Sequence, residues 1–184
     1  MLPRAIWNDW LTNVLPSGGY GCTPAGLFSP AAIWNQSLNG FFARAFTESA
    51  WSHPVLTNPG LARLLTYSAA GLCVAIAGLA AWRSRDRADS LDRTMLVALP
   101  TMFLVAPFSW EHHLVYVLPS ILMLLGSRPS FGATPKAIFL SLCVASAVVI
   151  GMEGALGLKF LGMVVLWGLC VLAAIRGDIE LASG

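Results

Sequence analysis

Gly60-Leu-Ala-Arg-Leu-Leu-Thr-Tyr-Ser-Ala-Ala-Gly-Leu-Cys-Val-Ala-Ile-Ala-Gly-Leu-Ala-Ala-Trp82 is a run of 23 residues with one charge, Arg63, near its start. About 20 apolar residues are enough for a helix to cross a bilayer, so this stretch reads as a membrane span. Its many small residues (Ala69, Ala70, Gly71, Ala75, Ala77, Gly78, Ala80 and Ala81) suit close helix packing in lipid. Trp82 ends the run and Arg83-Ser-Arg85-Asp-Arg87 follows at once, an aromatic anchor and then a basic flank.

The rest of the chain agrees with a membrane setting. Of its 184 residues, 57% are hydrophobic and 11% charged, against roughly 25% charged in soluble domains. A net charge of +2, with no basic run carrying interleaved aromatics, excludes a nucleic-acid partner. Seven tryptophans fit long interfacial belts. Cys22, Cys73, Cys143 and Cys170 share no metal-ligand spacing, so no zinc site or disulfide framework is expected.

After the first span, apolar runs at 94–109, 112–126, 137–152 and 158–175 predict four more. The fold class is therefore all-α membrane protein, with about five transmembrane helices and a cytoplasmic tail over 177–184. Residues 1–59 differ in kind. They hold Pro3, Pro16, Pro24, Pro30, Pro54 and Pro59 and no window of spanning length, and read as an external loop with one or two short interfacial helices. One helical pattern runs over 31–46, with Ile33, Leu38, Phe41, Phe42 and Phe46 as its apolar stripe. The arginine-rich loop 83–93 reads as solvated and cytoplasmic, together with Arg128, Lys136 and Arg176. Residues 1–59 and the Glu111-His112-His113 turn then face outward. Export of nearly sixty polar residues without a preceding span is unusual, so the chain is expected to be the C-terminal part of a larger protein.

Two polar constellations carry the candidate chemistry. The first is Pro107-Phe-Ser-Trp-Glu-His-His113, an acid and two of the three histidines between apolar runs. Ionisable groups at such a depth are costly and mark function by default. Adjacent helical residues point about 100° apart, so His112 and His113 cannot grip one metal from a regular helix. At a turn they could face a common cavity, with Glu111 orienting one imidazole. The bland reading is an interfacial turn with Trp110 and Tyr116 as belt anchors. The second constellation is Asn35-Gln-Ser37-Leu-Asn-Gly40-Phe-Phe-Ala-Arg44. Gly40 permits close approach of a backbone or ligand, and Arg44 is a fork-shaped donor suited to phosphate. Its bland reading is a helix capped by Asn35 or Ser37, with Arg44 in the headgroup layer. His53, beside Pro54, reads as a solvated loop residue.

The Asn35–Arg44 stretch resembles the external-loop motif of glycosyltransferase family 87, the polyprenyl-phosphate-sugar-dependent transferases, and Ala106-Pro107-Phe-Ser-Trp-Glu-His-His113-Leu-Val resembles that family's second signature. The two lie in the family's order. The resemblance implies part of a GT-C membrane fold and a multi-pass protein with its active face outside the cell membrane. It also implies transfer of a hexose, commonly mannose, from a polyprenyl-phosphate donor to a glycolipid or glycan acceptor, without a cofactor or metal. Carried onto this chain, it gives His112, His113 and Glu111 catalytic roles and Asn35, Gln36, Ser37, Arg44 and Trp110 substrate-binding roles. Members place an acidic catalytic base in a first external loop, whereas here Asp9 and Glu48 are the only acids in residues 1–59 and neither fits that pattern. The chain is thus expected to be inactive alone and to need the missing N-terminal half. The alternative is a non-catalytic subunit, or truncated homologue, that binds only the lipid-phosphate.

Overall fold

Asn58 opens the longest helix by accepting the Leu61 N–H at 3.0 Å, and Pro59 occupies the first turn, where its missing N–H costs nothing. This computed structural model describes residues 3–23, 28–126 and 158–176, and among them every named element is helical. The chain begins with one helical run: α1 (Arg4–Asp9), a π-type segment (Trp10–Val14) and α2 (Leu15–Ser17). There follow α3 (Leu38–Phe46), α4 (Pro59–Ser84), α5 (Ser90–Val105), a 3-10 turn (Glu111–Val117), α6 (Leu118–Gly126) and α7 (Leu158–Arg176).

At 26 residues α4 is about 39 Å long, more than the roughly 30 Å of a hydrocarbon core. Its buried stripe is small and runs at i+4 intervals: Ala62, Thr66 and Ala70, then Ala80 and Ser84. Leu64, Tyr67, Leu72, Val74, Leu79 and Trp82 point outward and are exposed. Small side chains inward and large apolar ones outward is the pattern of a helix packed in lipid. Gly71, Ala75 and Gly78, expected on the packing surface, lie on the open side instead. Among the described residues, two helices, Pro59–Ser84 and Lys159–Arg176, are long and apolar enough to cross a membrane.

The remaining expected spans differ. The run 94–109 is helical from Ser90 and ends at Val105, because Ala106 turns extended (ψ 141°) ahead of Pro107. The run 112–126 splits into the 3-10 turn and the nine-residue α6. The stretch 137–152 lies outside the described residues. The helical pattern over 31–46 contracts to α3, since Asn35 and Ser37 hydrogen-bond backbone groups and compete with helix before residue 38.

Helices α4, α5 and α7 pack around Leu96, Val97, Leu104, Leu166, Cys170 and Ala173. Polar ties fix their heights. Trp167 Nε1–H donates to Thr101 Oγ1 at 2.9 Å. At one end Arg93, only 3% exposed, donates to the Ala174 carbonyl at 3.0 Å and to Asp89. That carbonyl is in the last turn of α7, where intrahelical donors run out. Arg93 is therefore a buried clamp rather than part of a solvated loop. Arg85 does remain at the surface, its guanidinium 3.8 Å from the Trp82 ring centre. At the opposite end α3 packs against α4, and Phe41 stacks on Phe160 of α7 at 4.5 Å.

Candidate functional site

The two sequence constellations meet at this α3 end. Asn35 is fully buried and each polar atom of its side chain is engaged. Its Nδ2 donates to the carbonyls of Pro30 (3.0 Å) and Pro107 (3.2 Å). Its Oδ1 accepts from the Ser37 hydroxyl (2.9 Å), the Ser37 N–H (3.3 Å) and the Ser109 N–H (3.0 Å). Gln36 N–H donates to the Ser109 carbonyl at 2.8 Å, so both backbone groups of Ser109 are held by residues 35 and 36. Asn39 Nδ2 adds a second donor to the Pro107 carbonyl at 2.9 Å.

Ser37 Oγ also accepts from the Gly40 N–H at 3.2 Å, which caps α3. Gly40 is required by crowding: a Cβ there would lie 2.2 Å from the Asn35 carbonyl oxygen. One turn on, Arg44 Nη1 donates to the carbonyls of Ala32 (3.0 Å) and Asn35 (2.9 Å). Burial pulls its guanidinium down to about 10, still cationic at neutral pH. Arg44 Nη2 and Gln36 Oε1 are buried without a hydrogen-bond partner among the described residues. Residues 20 and 21 complete the knot. The Gly21 N–H donates to Asn39 Oδ1 at 3.0 Å, and the Tyr20 hydroxyl donates to the Val105 carbonyl.

From this knot the chain emerges at Trp110 into the 3-10 turn. Trp110 N–H donates to His113 Nδ1 at 3.2 Å, and His113 N–H returns to the Trp110 carbonyl at 2.9 Å. Because Nδ1 accepts, the neutral imidazole carries its proton on Nε2. The Trp110 and His113 rings lie parallel, 6.0 Å apart, and the two imidazoles meet edge-on at 4.2 Å. Glu111 opens the turn directly before them.

The imidazoles border different spaces. His113 lines an apolar cavity of about 290 Å³ with Leu99, Met102, Phe103, Phe108 and Tyr116. His112 lines an open pocket of about 180 Å³ with Phe28, Trp34 and Trp110. The expectation of a common cavity gives way to two spaces, one bordered by each imidazole, although the two rings touch each other. Among the described residues, no three His, Cys, Asp or Glu side chains converge as a metal site.

Of the residues singled out from sequence, Asn35, Gln36, Ser37 and Arg44 are thus joined to the histidine turn through Pro107 and Ser109, and Trp110, His112 and His113 form its edge, with Trp110 and His113 half-buried and His112 exposed. His53 lies elsewhere, exposed and paired with Glu48. Sequence reasoning passed over Asn39, Ser109, Phe28 and Trp34. Asn39 and Ser109 stood inside the quoted stretches, but a role made of backbone contacts leaves no spacing signal. Trp34, next to Asn35, was one aromatic residue among many.

No known family profile and no solved structure match this chain. Over 102 residues it is 31% identical to the polyprenol-phosphate-mannose-dependent alpha-(1-2)-phosphatidylinositol pentamannoside mannosyltransferase of Mycobacterium tuberculosis (strain CDC 1551 / Oshkosh). That similarity covers 55% of this chain and 21% of the relative, so the chain matches about a fifth of the relative's length. Over that part, the chain is similar to a mannosyltransferase.

Proposed function

We propose that this chain forms the donor-binding part of a membrane glycosyltransferase of the family-87, GT-C type. It would take a hexose, mannose by its relative's name, from a polyprenyl-phosphate carrier and pass it to a glycolipid or glycan acceptor on the outer face of the cell membrane. The observation that carries this reading is the His113 imidazole lining the apolar cavity with His112 in contact beside it, at the bundle end opposite the arginine-rich loop.

The parts divide the work by their chemistry. The isoprenoid chain enters the cavity beside Met102, Phe103 and Phe108. His113, with its Nε2–H, and His112 meet the phosphate and stabilise the charge that develops on it as the sugar leaves. Glu111 assists from the start of the same turn. Asn35, Gln36, Ser37 and Arg44 serve the donor by fixing Pro107–Ser109, and Arg44 adds a buried positive charge. The helical run 4–17, whose Ile6, Trp7, Trp10, Leu11 and Val14 are exposed, lies along the membrane surface.

One observation favours the non-catalytic alternative. Asp9 is engaged with Asn13, and Glu48 with His53, so neither acid of residues 1–59 is directed at the histidine turn. Donor binding is common to both readings and is the property to test. Membranes containing the chain should photo-crosslink a polyprenyl-phosphate-mannose probe. The His112→Ala/His113→Ala double variant, present at equal abundance, should not. Labelling no higher than in membranes lacking the chain would remove the proposal.

A further inference from the structure

The open pocket beside His112 is built differently from the cavity beside His113. Its walls are rings: Phe28, Trp34, Trp110 and the His112 imidazole. Phe28 meets Trp34 edge-on at 4.9 Å, and Trp110 meets His112 edge-on at 5.4 Å. Trp51 braces Trp34 from a second side, with centroids 4.8 Å apart. The walls also hang from a rigid base, since Trp34 precedes the fully buried Asn35 and Trp110 follows the buried Ser109, and those two residues are hydrogen-bonded to each other. Yet Phe28 is 55% exposed and the pocket stands open. Rings held this firmly without covering one another suit a ligand that brings an apolar face together with polar edges.

We infer that this pocket holds the hexose of the donor: the C–H face of one pyranose ring lies on the Trp34 and Trp110 indoles, and His112 hydrogen-bonds a ring hydroxyl. At about 180 Å³ the space is below the roughly 300 Å³ at which pockets for larger ligands begin, so it admits a single ring and not an isoprenoid chain. The two spaces then receive the two halves of one amphipathic molecule, lipid on the His113 side and sugar on the His112 side, with the phosphate at the shared edge of the touching imidazoles. This inference rests on the donor reading above and adds the recognition of the sugar. A cage of aromatic rings also suits a quaternary ammonium group, and the test includes that occupant.

The chain in lipid nanodiscs is titrated with farnesyl phosphate and with farnesyl-phosphoryl mannose. The mannosylated lipid should bind about tenfold tighter, the scale of one good ring contact. Trp34→Ala should abolish that difference while farnesyl phosphate binds as before. Phe28→Ala, at the exposed rim, should shrink the difference, and it decides the matter if Trp34→Ala fails to fold. Equal affinity of the two lipids for the unaltered chain would overturn the inference and leave the donor reading standing. So would a tenfold difference that survives both substitutions. Displacement of the mannosylated lipid by choline but not by methyl mannoside would assign the pocket to a cation instead. If farnesyl phosphate itself fails to bind, the donor reading fails and this inference falls with it.

Discussion

Asn35 Oδ1 accepts the backbone N–H of Ser109 at 3.0 Å across 74 residues of sequence, in a site where both residues are buried. Replacing Asn35 by Ala would orphan the Ser109 N–H and leave the Pro30 carbonyl without that donor. Each buried group left unpaired costs roughly 1–3 kcal/mol, so a loss of about 3 kcal/mol is expected. Asn35→Asp should be at least as damaging, because it turns a carboxylate oxygen toward the Pro30 and Pro107 carbonyls. Thermal unfolding in detergent measures both.

Gly40→Ala should destabilise by about 1–3 kcal/mol, the usual range for forcing extra volume into a packed site. The obstacle is the Asn35 backbone oxygen, which cannot swing aside. Gly71→Ala and Gly78→Ala provide the control, since a Cβ at either position meets nothing within 4 Å. Those two should be neutral or stabilising, because alanine is the better helix former by about 1 kcal/mol.

Asp89 is held below the ordinary carboxylate range, first by its hydrogen bond from Arg93. A depressed carboxylate contributes stability above its unfolded pKa and loses it as pH falls through the folded value. The clamp should therefore be intact at neutral pH and weaken only below about pH 3.9, the usual aspartate value. Asp89→Asn should flatten that acid-side decline. An unfolding series across acid pH tests this, and a decline unchanged in the variant would place its origin elsewhere.

His113 offers a crossover. Asparagine can put an oxygen near the Nδ1 position, keeping the Trp110 N–H satisfied while removing the outer nitrogen. Glutamine does the reverse. His113→Asn should preserve the melting temperature and weaken farnesyl phosphate binding by about tenfold or more. His113→Gln should retain more binding and lose about 1 kcal/mol of stability, the scale of one net hydrogen bond. Identical behaviour of the two would refute separate duties for the two nitrogens.

Trp7 and Trp10 meet edge-on at 6.3 Å on the exposed side of the first helical run. If that run lies in the headgroup layer, brominated lipids should quench part of the protein's tryptophan emission. The Trp7→Asp/Trp10→Asp variant should lose that part, while an unchanged quenching fraction would place the run in water.

The sequence made the apolar spans of α4 and α7 legible, because length and lack of charge need no tertiary information. It also marked both halves of the site, 35–44 and 107–113, as unusual. What it could not show is that Asn35 and Ser37 face the backbone of Pro107 and Ser109, since such bonds are made by carbonyls and amides that every residue has. Arg93 misled for a related reason: among Arg83, Arg85 and Arg87 it looks like one more surface charge, and only the position of Ala174 shows otherwise. Pro107 did carry a readable signal, since a proline disfavours helix at the residue before it, yet Pro100 sits inside the same helix and the apolar run continued past 107, which masked the break.

Helix α5 is pinned at three heights, by Arg93 to Ala174, by Thr101 to Trp167, and by Val105 and Pro107 to Tyr20 and Asn35. Each residue of a helix adds about 1.5 Å and 100°. One residue inserted between Thr101 and Val105 would thus swing the Pro107 carbonyl away from its donors and carry the imidazoles out of phase with the rest. Side chains along α5 can drift, but the number of steps between its anchors is fixed, much as a key tolerates wear but not a shifted notch.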